Sequence, residues 1–317
     1  MPLPRWQSIV PRASVPAVSV AAAVGLAVIW ANWSILAEMA NHWEHDPTYS
    51  HGYLVPLIAL GILWYRRDRW PGLTSHPPWW AVGLFVLGAA MQVAGAIWYI
   101  RWLAGASIVA YAAGIAALVG GRRGLAWAAP GVLFLFFMVP LPYRFEGLMR
   151  PQLMRISSAA SAFALQTLGL SAYTQGNIIN LTDAAGHTIE LNVIDACSGL
   201  KMLIVFFCLT TAVAVLIHRS IGERLLILLS TLPIALLCNV ARITVTGVLH
   251  VLVGEEWANR VFHDLAGWFM MPLALGLLWL ELKLLSALFI DETPDSTRAF
   301  RMPSRPPGAP HNIPGAT

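Results

Sequence analysis

Apolar residues run along this chain in blocks too long and too continuous for the faces of soluble helices. A membrane-crossing helix needs about 20 such residues. On that basis spans are expected near 16–36, 52–65, 79–98, 102–120, 125–140, 198–217, 225–248 and 263–284. The pattern therefore predicts an all-α polytopic membrane protein with about eight transmembrane helices. The apolar run that follows MPLPRWQSIVPR continues too long for a signal sequence and lacks a clear small-residue cleavage site, so it is read as a retained first helix.

One connection breaks the rhythm. Between the fifth and sixth spans, an insertion of about 141–197 changes pattern twice. In FEGLMRPQLMRISSAASAFALQTLGL, Leu148, Leu153, Ile156, Phe163 and Leu168 suit an amphipathic helix lying along the membrane surface. YTQGNIINLTDAAGHTIELNV alternates apolar and polar residues around Ala-Ala-Gly, as a small β-hairpin does. The division expected is one membrane-embedded domain over 1–290 and a disordered tail over 291–317, rich in Pro, Ser and Arg.

Composition agrees. The 317 residues are 57% hydrophobic and 11% charged, against about 25% charged in soluble domains. Three cysteines among apolar stretches make neither a disulfide framework nor a zinc site. No basic stripe or motif suggests nucleic acid. Charge placement sets the orientation. Connections holding Arg5 and Arg12, Arg66, Arg67 and Arg69, Arg122 and Arg123, Arg219 and Arg224, and Lys283 with the 298–305 tail carry 13 of the 20 Lys and Arg residues. By the positive-inside rule these are cytoplasmic, both termini with them, and eight spans satisfy that parity. Trp33, Trp64, Tyr65, Trp79, Trp98, Trp127 and Tyr143 fall near the interfaces, as an aromatic belt should.

On the outer side three chemically active residues come to one depth. Cys197, in IDACSGLKML, precedes the sixth span, where a helix N-terminus and Lys201 favour a thiolate. Arg242 lies 18 residues past Arg224, about 27 Å of helix, with Asn239 on the same face. His263 opens the last span. Each alone has a plainer reading: a small buried hydrophobe, a snorkelling arginine, a solvated histidine. Together they form a working set, in which imidazole moves the thiol proton and the guanidinium stabilises an oxyanion.

These motifs resemble those of the exosortase/archaeosortase family of membrane-embedded cysteine transpeptidases. The resemblance rests on Asp195-Ala196-Cys197-Ser198-Gly199, on Asn239-Val240-Ala241-Arg242, on His263, and on Tyr49-Ser50-His51-Gly52-Tyr53-Leu54-Val55-Pro56, and it covers about 40–285. It implies a bacterial inner-membrane enzyme, its site facing the periplasm, that acts on exported proteins. Their C-terminal sorting signals carry a short motif such as Pro-Glu-Pro, a transmembrane helix and a basic cluster. It implies Cys197 as nucleophile with Arg242 and His263 beside it. Asn239, Ser198, Gly199, Asp195, Ser50 and His51 are expected to bind substrate or shape the site. No cofactor is called for. His42, His45, Asp46 and His51 lack helical metal-ligand spacing, and no metal is expected there. Beyond substrate proteins, the expected partners are membrane lipids. A transporter or export component for exopolysaccharide, and an envelope scaffold, are the competing readings.

Overall fold

The computed structural model describes residues 15–74, 78–182, 186–192, 199–217, 219–254 and 267–288. Among them the helices are α1 (Val15–Ala31), α2 (Trp33–His45), α3 (Leu54–Tyr65), α4 (Trp80–Ile97), α5 (Arg101–Phe134), α6 (Tyr143–Thr167), α7 (Gly199–Leu216), α8 (Ile221–Val253) and α9 (Gly267–Leu288). Strands β1 (Ser171–Gln175), β2 (Ile178–Thr182) and β3 (Thr188–Asn192) follow α6. Four helical segments are long and apolar enough to cross a membrane, or five if the bent pair at the start is one span. The protein is thus a mostly helical membrane protein with a small sheet.

The first expected span is not straight. α1 and α2 meet at 67° around Asn32, whose buried amide donates to the Val28 carbonyl at 2.8 Å. A side chain turned back on its own helix disturbs the ladder there, and the helix axis changes. α3 has 12 residues, about 18 Å, and a 3-10 turn over Pro47–Tyr53 leads into it.

The fourth expected span and most of the fifth lie within α5, which is helical on both sides of a reversal, and a 3-10 turn over Leu135–Met138 continues the fifth. Gly121 adopts φ 60°, ψ −154°, a conformation open to glycine and costly for other residues. A Cβ on Gly105 would lie 2.8 Å from Val139 Cγ1, and one on Gly124 would lie 3.1 Å from the Ala116 carbonyl. Neither contact is possible in a straight rod, so α5 folds into two antiparallel arms. The first arm packs on α4 with glycines facing rings: Gly88 against Tyr111, and Gly114 against Phe85. Lipid offers little hydrophobic drive between helices, so such close approach supplies the contact energy.

The insertion corrects two expectations. Ser157 meets Asn239 and Leu165 meets Gly247, an advance of eight residues on both helices. α6 therefore runs alongside α8 in the same direction, rather than across the bundle as a surface helix. Its buried face carries Met154, Ser157, Ser158, Ser161, Ala162 and Leu165, while Leu148, Ile156, Phe163 and Leu168 point outwards. The small residues let the two backbones approach, and the large ones face what surrounds the protein. The hairpin is present as β2 and β3, but β1 adds a third antiparallel strand in the order β1-β2-β3. The β1–β2 turn uses Gly176 at φ 68°. Ala172, Ile179, Leu181 and Leu191 close the sheet over Ala162, Leu165 and Ile243 of the two helices.

The arginine-bearing ends gather at one end of the bundle. Trp127 donates to the Arg66 carbonyl at 2.8 Å, Arg224 donates to the Ile217 carbonyl at 2.9 Å, and Arg66 feels the charge of Arg224.

Candidate functional site

The first turn of α7 meets the middle of α8. A Cβ on Gly199 would lie 3.0 Å from Asn239 Nδ2, so any larger residue would push on the amide. Asn239 is buried, and its Nδ2 donates to Ser157 Oγ at 2.8 Å. Its Oδ1 is buried without a protein partner. This amide joins three elements: α6 through Ser157, α7 through Gly199, and α8 through its own backbone. Arg242 stands three residues further on, half-buried and on the same face of α8; its carbonyl accepts from Thr246 Oγ1 at 2.8 Å. The free N–H groups of the first turn of α7 give that end a partial positive charge.

Asp195, Cys197, Ser198 and His263 lie outside the described residues. What the structure brings together from the expected set is Gly199, Asn239 and, on the next turn, Arg242. Cys208 and Cys238 are buried thiols within helices.

The Tyr49–Pro56 motif forms a latch. Tyr49 is buried; its hydroxyl donates to Glu146 Oε1 and accepts from the Leu141 N–H at 3.1 Å. Burial and the Glu146 carboxylate both raise its pKa. His51 is buried with Nε2 3.2 Å from the Phe137 carbonyl, and burial holds it below the ordinary 6.5. Gly52 lies flat against the Trp43 indole, whose Nε1 donates to the Met138 carbonyl at 2.8 Å. Ser50 is exposed and donates to Pro47 of its own turn at 3.1 Å. The motif thus ties residues 43–53 to the 137–146 crossing. Two further histidines, in the last turn of α2, bond locally: His42 sits 3.9 Å from Asp46, and His45 Nδ1 contacts the Asn41 carbonyl at 2.8 Å. Among the described residues no group of three His, Cys, Asp or Glu could hold a metal ion.

Between the latch and α7 runs an open, apolar groove of about 550 Å³. Tyr49, Leu141 and Phe145 line it together with Leu200, Leu203 and Phe207 of α7 and Leu228 and Leu232 of α8. Its lining includes Leu200, the residue after Gly199, and carries no charged residue.

A family model described as transmembrane exosortase matches residues 43–280. The chain belongs to the transmembrane exosortase family. The match takes in the latch, the insertion, α7 and α8 of this exosortase-family chain. No curated protein and no solved structure matches it.

Sequence reasoning missed Ser157 and Glu146. The small-residue run Ser157-Ser158-Ala159-Ala160-Ser161 was the available signal for the first, since such stripes mark close helix packing. The second was visible only as a lone acid four residues before Arg150, which lies 3.6 Å from it.

Proposed function

We propose that this family member is a membrane-embedded cysteine peptidase or transpeptidase. It cleaves the C-terminal sorting signals of exported proteins at the periplasmic face of the bacterial inner membrane. The observation that carries the reading is the contact of Gly199 with Asn239. The segment two residues before Gly199 holds Cys197, and one turn beyond Asn239 stands Arg242. The Cys197 thiolate attacks the scissile carbonyl carbon, and His263 takes the thiol proton. Arg242 stabilises the negative charge on the carbonyl oxygen, or holds the thiolate. Collapse expels the amine of the C-terminal fragment, which receives its proton from His263, and leaves a thioester. Water or an acceptor amine then resolves the thioester and regenerates the thiol.

Asn239, Ser198, Gly199 and Asp195 shape this site, and the latch with Ser50 and His51 sets the wall opposite α7. An apolar groove whose lining includes Leu200, the residue after Gly199, supports a substrate that continues as a hydrophobic segment. The same reading carries eight spans with both termini cytoplasmic, one domain over 1–290 with its insertion at 141–197, and a tail over 291–317.

The test follows a tagged substrate with a Pro-Glu-Pro type tail in cells producing the protein or its Cys197→Ala variant, with equal membrane accumulation checked by blotting. Cleavage by the first and an uncut tail with the second is expected. Equal processing by both removes Cys197 as nucleophile, whereas an export or transport role would survive loss of the thiol.

A further inference from the structure

Away from this chemistry, at the arginine-rich end of the bundle, a second surface has the makings of a ligand site. Arg66 caps α3, Arg69 closes the following turn, and Arg224 lies in the first turn of α8. Arg66 Nε is buried and has no protein partner. Burial, and then the charges of Arg69 and Arg224, lower its pKa. Two described acids near these arginines in sequence are engaged or exposed. Glu223 receives Ser220 and Arg219, and Asp68 is exposed, 4.0 Å from Arg67.

Beside this cluster lies an open slot of about 590 Å³, lined by Leu60, Gly61, Leu63, Trp64, Arg67, Trp70 and Trp127. Arg67 lies over the Trp64 ring at 4.9 Å, and Trp70 meets Trp127 edge-on at 4.6 Å. Trp127 reaches the Arg66 carbonyl, so the slot and the cluster share a wall. Gly61 leaves its part of the slot empty: a Cβ there would meet nothing within 4 Å. Guanidinium groups at one end and an apolar, tryptophan-walled slot leading away match a molecule with an anionic phosphate head and a hydrocarbon tail.

We infer that Arg66, Arg69 and Arg224, with the slot around Gly61, form a binding site for one anionic phospholipid, its phosphate at the arginines and an acyl chain along Leu60, Trp64 and Trp127. Guanidinium–phosphate pairs are strong because the fork of donors fits the oxygens. A lipid in this place ties α3, the reversal of α5 and the start of α8 together.

The full chain, purified in detergent, is titrated with phosphatidylglycerol and with phosphatidylcholine, and bound lipid is counted by native mass spectrometry. Wild type is expected to retain one phosphatidylglycerol in preference to phosphatidylcholine. Arg66→Gln should weaken phosphatidylglycerol roughly five-fold, the effect of one surface cation. Gly61→Leu fills open space, so it should keep the wild-type melting temperature while weakening phosphatidylglycerol roughly five-fold or more, as overpacking a fitted slot does. Inorganic phosphate at the same concentration should fail to displace the lipid. Equal retention of the two lipids overturns the site, and so does unchanged affinity in a folded Gly61→Leu. Displacement by inorganic phosphate would leave an anion site only and overturn the slot.

Discussion

Gly52→Ala tests whether the latch is as tight as its geometry says. The added Cβ would lie 2.4–2.6 Å from Nε1, Cε2 and Cδ1 of Trp43, where ordinary contact begins at 3.4 Å. The ring must therefore move by about 1 Å, or the 3-10 turn must. The indole has little freedom: it is buried, bonded to the Met138 carbonyl at 2.8 Å, and set edge-on to Tyr53 at 5.1 Å. Overpacking costs about 1–3 kcal/mol, and loss of the indole bond adds about 0.5–1.5 kcal/mol. The expected cost is about 2–4 kcal/mol, roughly a hundredfold in the folded-to-unfolded ratio. Unfolding of the purified protein by sodium dodecyl sulfate in mixed micelles, followed by tryptophan fluorescence, measures it. Gly61→Ala, in open space, is the control. In a Trp43→Leu background, which makes room and has already lost the bond, the penalty should fall below about 1 kcal/mol. A Gly52→Ala cost equal to that of Gly61→Ala, or one that is the same in both backgrounds, refutes the reasoning.

Tyr49→Phe removes one donor from Glu146 and the acceptor of the Leu141 N–H, and should cost about 1–3 kcal/mol in the same assay; a variant as stable as wild type rejects the latch. His51 is held neutral by burial, its pKa below 6.5 despite carbonyls that favour the charged ring. The unfolded chain then takes up the proton first, so stability is full above pH 6.5 and declines as pH falls below it. Unfolding measured from about pH 8 to 5 should show that decline in wild type and less of it in His51→Gln. Adjacent serines should behave differently. Ser157→Ala strips Asn239 Nδ2 of its 2.8 Å acceptor and should cost about 1–3 kcal/mol and slow processing. Ser158→Ala removes a buried hydroxyl that has no partner and should be neutral or stabilising. Equal effects at 157 and 158 would show that the stripe matters only for its size.

Apolar run length foretold α4, α7 and α8, and the separate runs at 102–120 and 125–140, joined through Arg122 and Arg123, foretold the reversal that Gly121 makes. These features are local, set by a dozen neighbouring residues. The kink at Asn32 was present in the sequence as one polar residue in an apolar run, but nothing local says that its amide folds back on Val28. α6 inverted the expectation for a different reason. Its packing face belongs to small residues, Ser157, Ser158 and Ser161 among them, while Leu148, Ile156, Phe163 and Leu168 are exposed, the reverse of what size and apolarity predict. β1 was illegible because Ser171–Gln175 buries only Ala172, leaving no alternation to read. At the candidate site, the motifs singled out Gly199, Asn239 and Arg242, and the structure sets Gly199 against Asn239 with Arg242 on the next turn. Ser157 and Glu146 act through partners 82 and 97 residues away, and such pairings leave no periodic trace.

The latch also sets a timetable for biogenesis. Trp43 and His51 bond to carbonyls 95 and 86 residues further along the chain. At about 5–20 residues per second, a ribosome needs roughly 4–20 seconds to deliver those partners after residues 43–51 have left it. During that interval the indole N–H and the imidazole have no protein partner at 137–138, and the hydroxyl of Tyr49 lacks Leu141 and Glu146. The N-terminal helices therefore wait in the bilayer as an incomplete assembly, and closure comes only when the second arm of α5 has been inserted and has turned back towards Gly105. An insertion chaperone or the translocation channel itself would have its longest contact with this stretch, which makes pulse-labelled crosslinking from positions 43–53 the place to watch assembly happen.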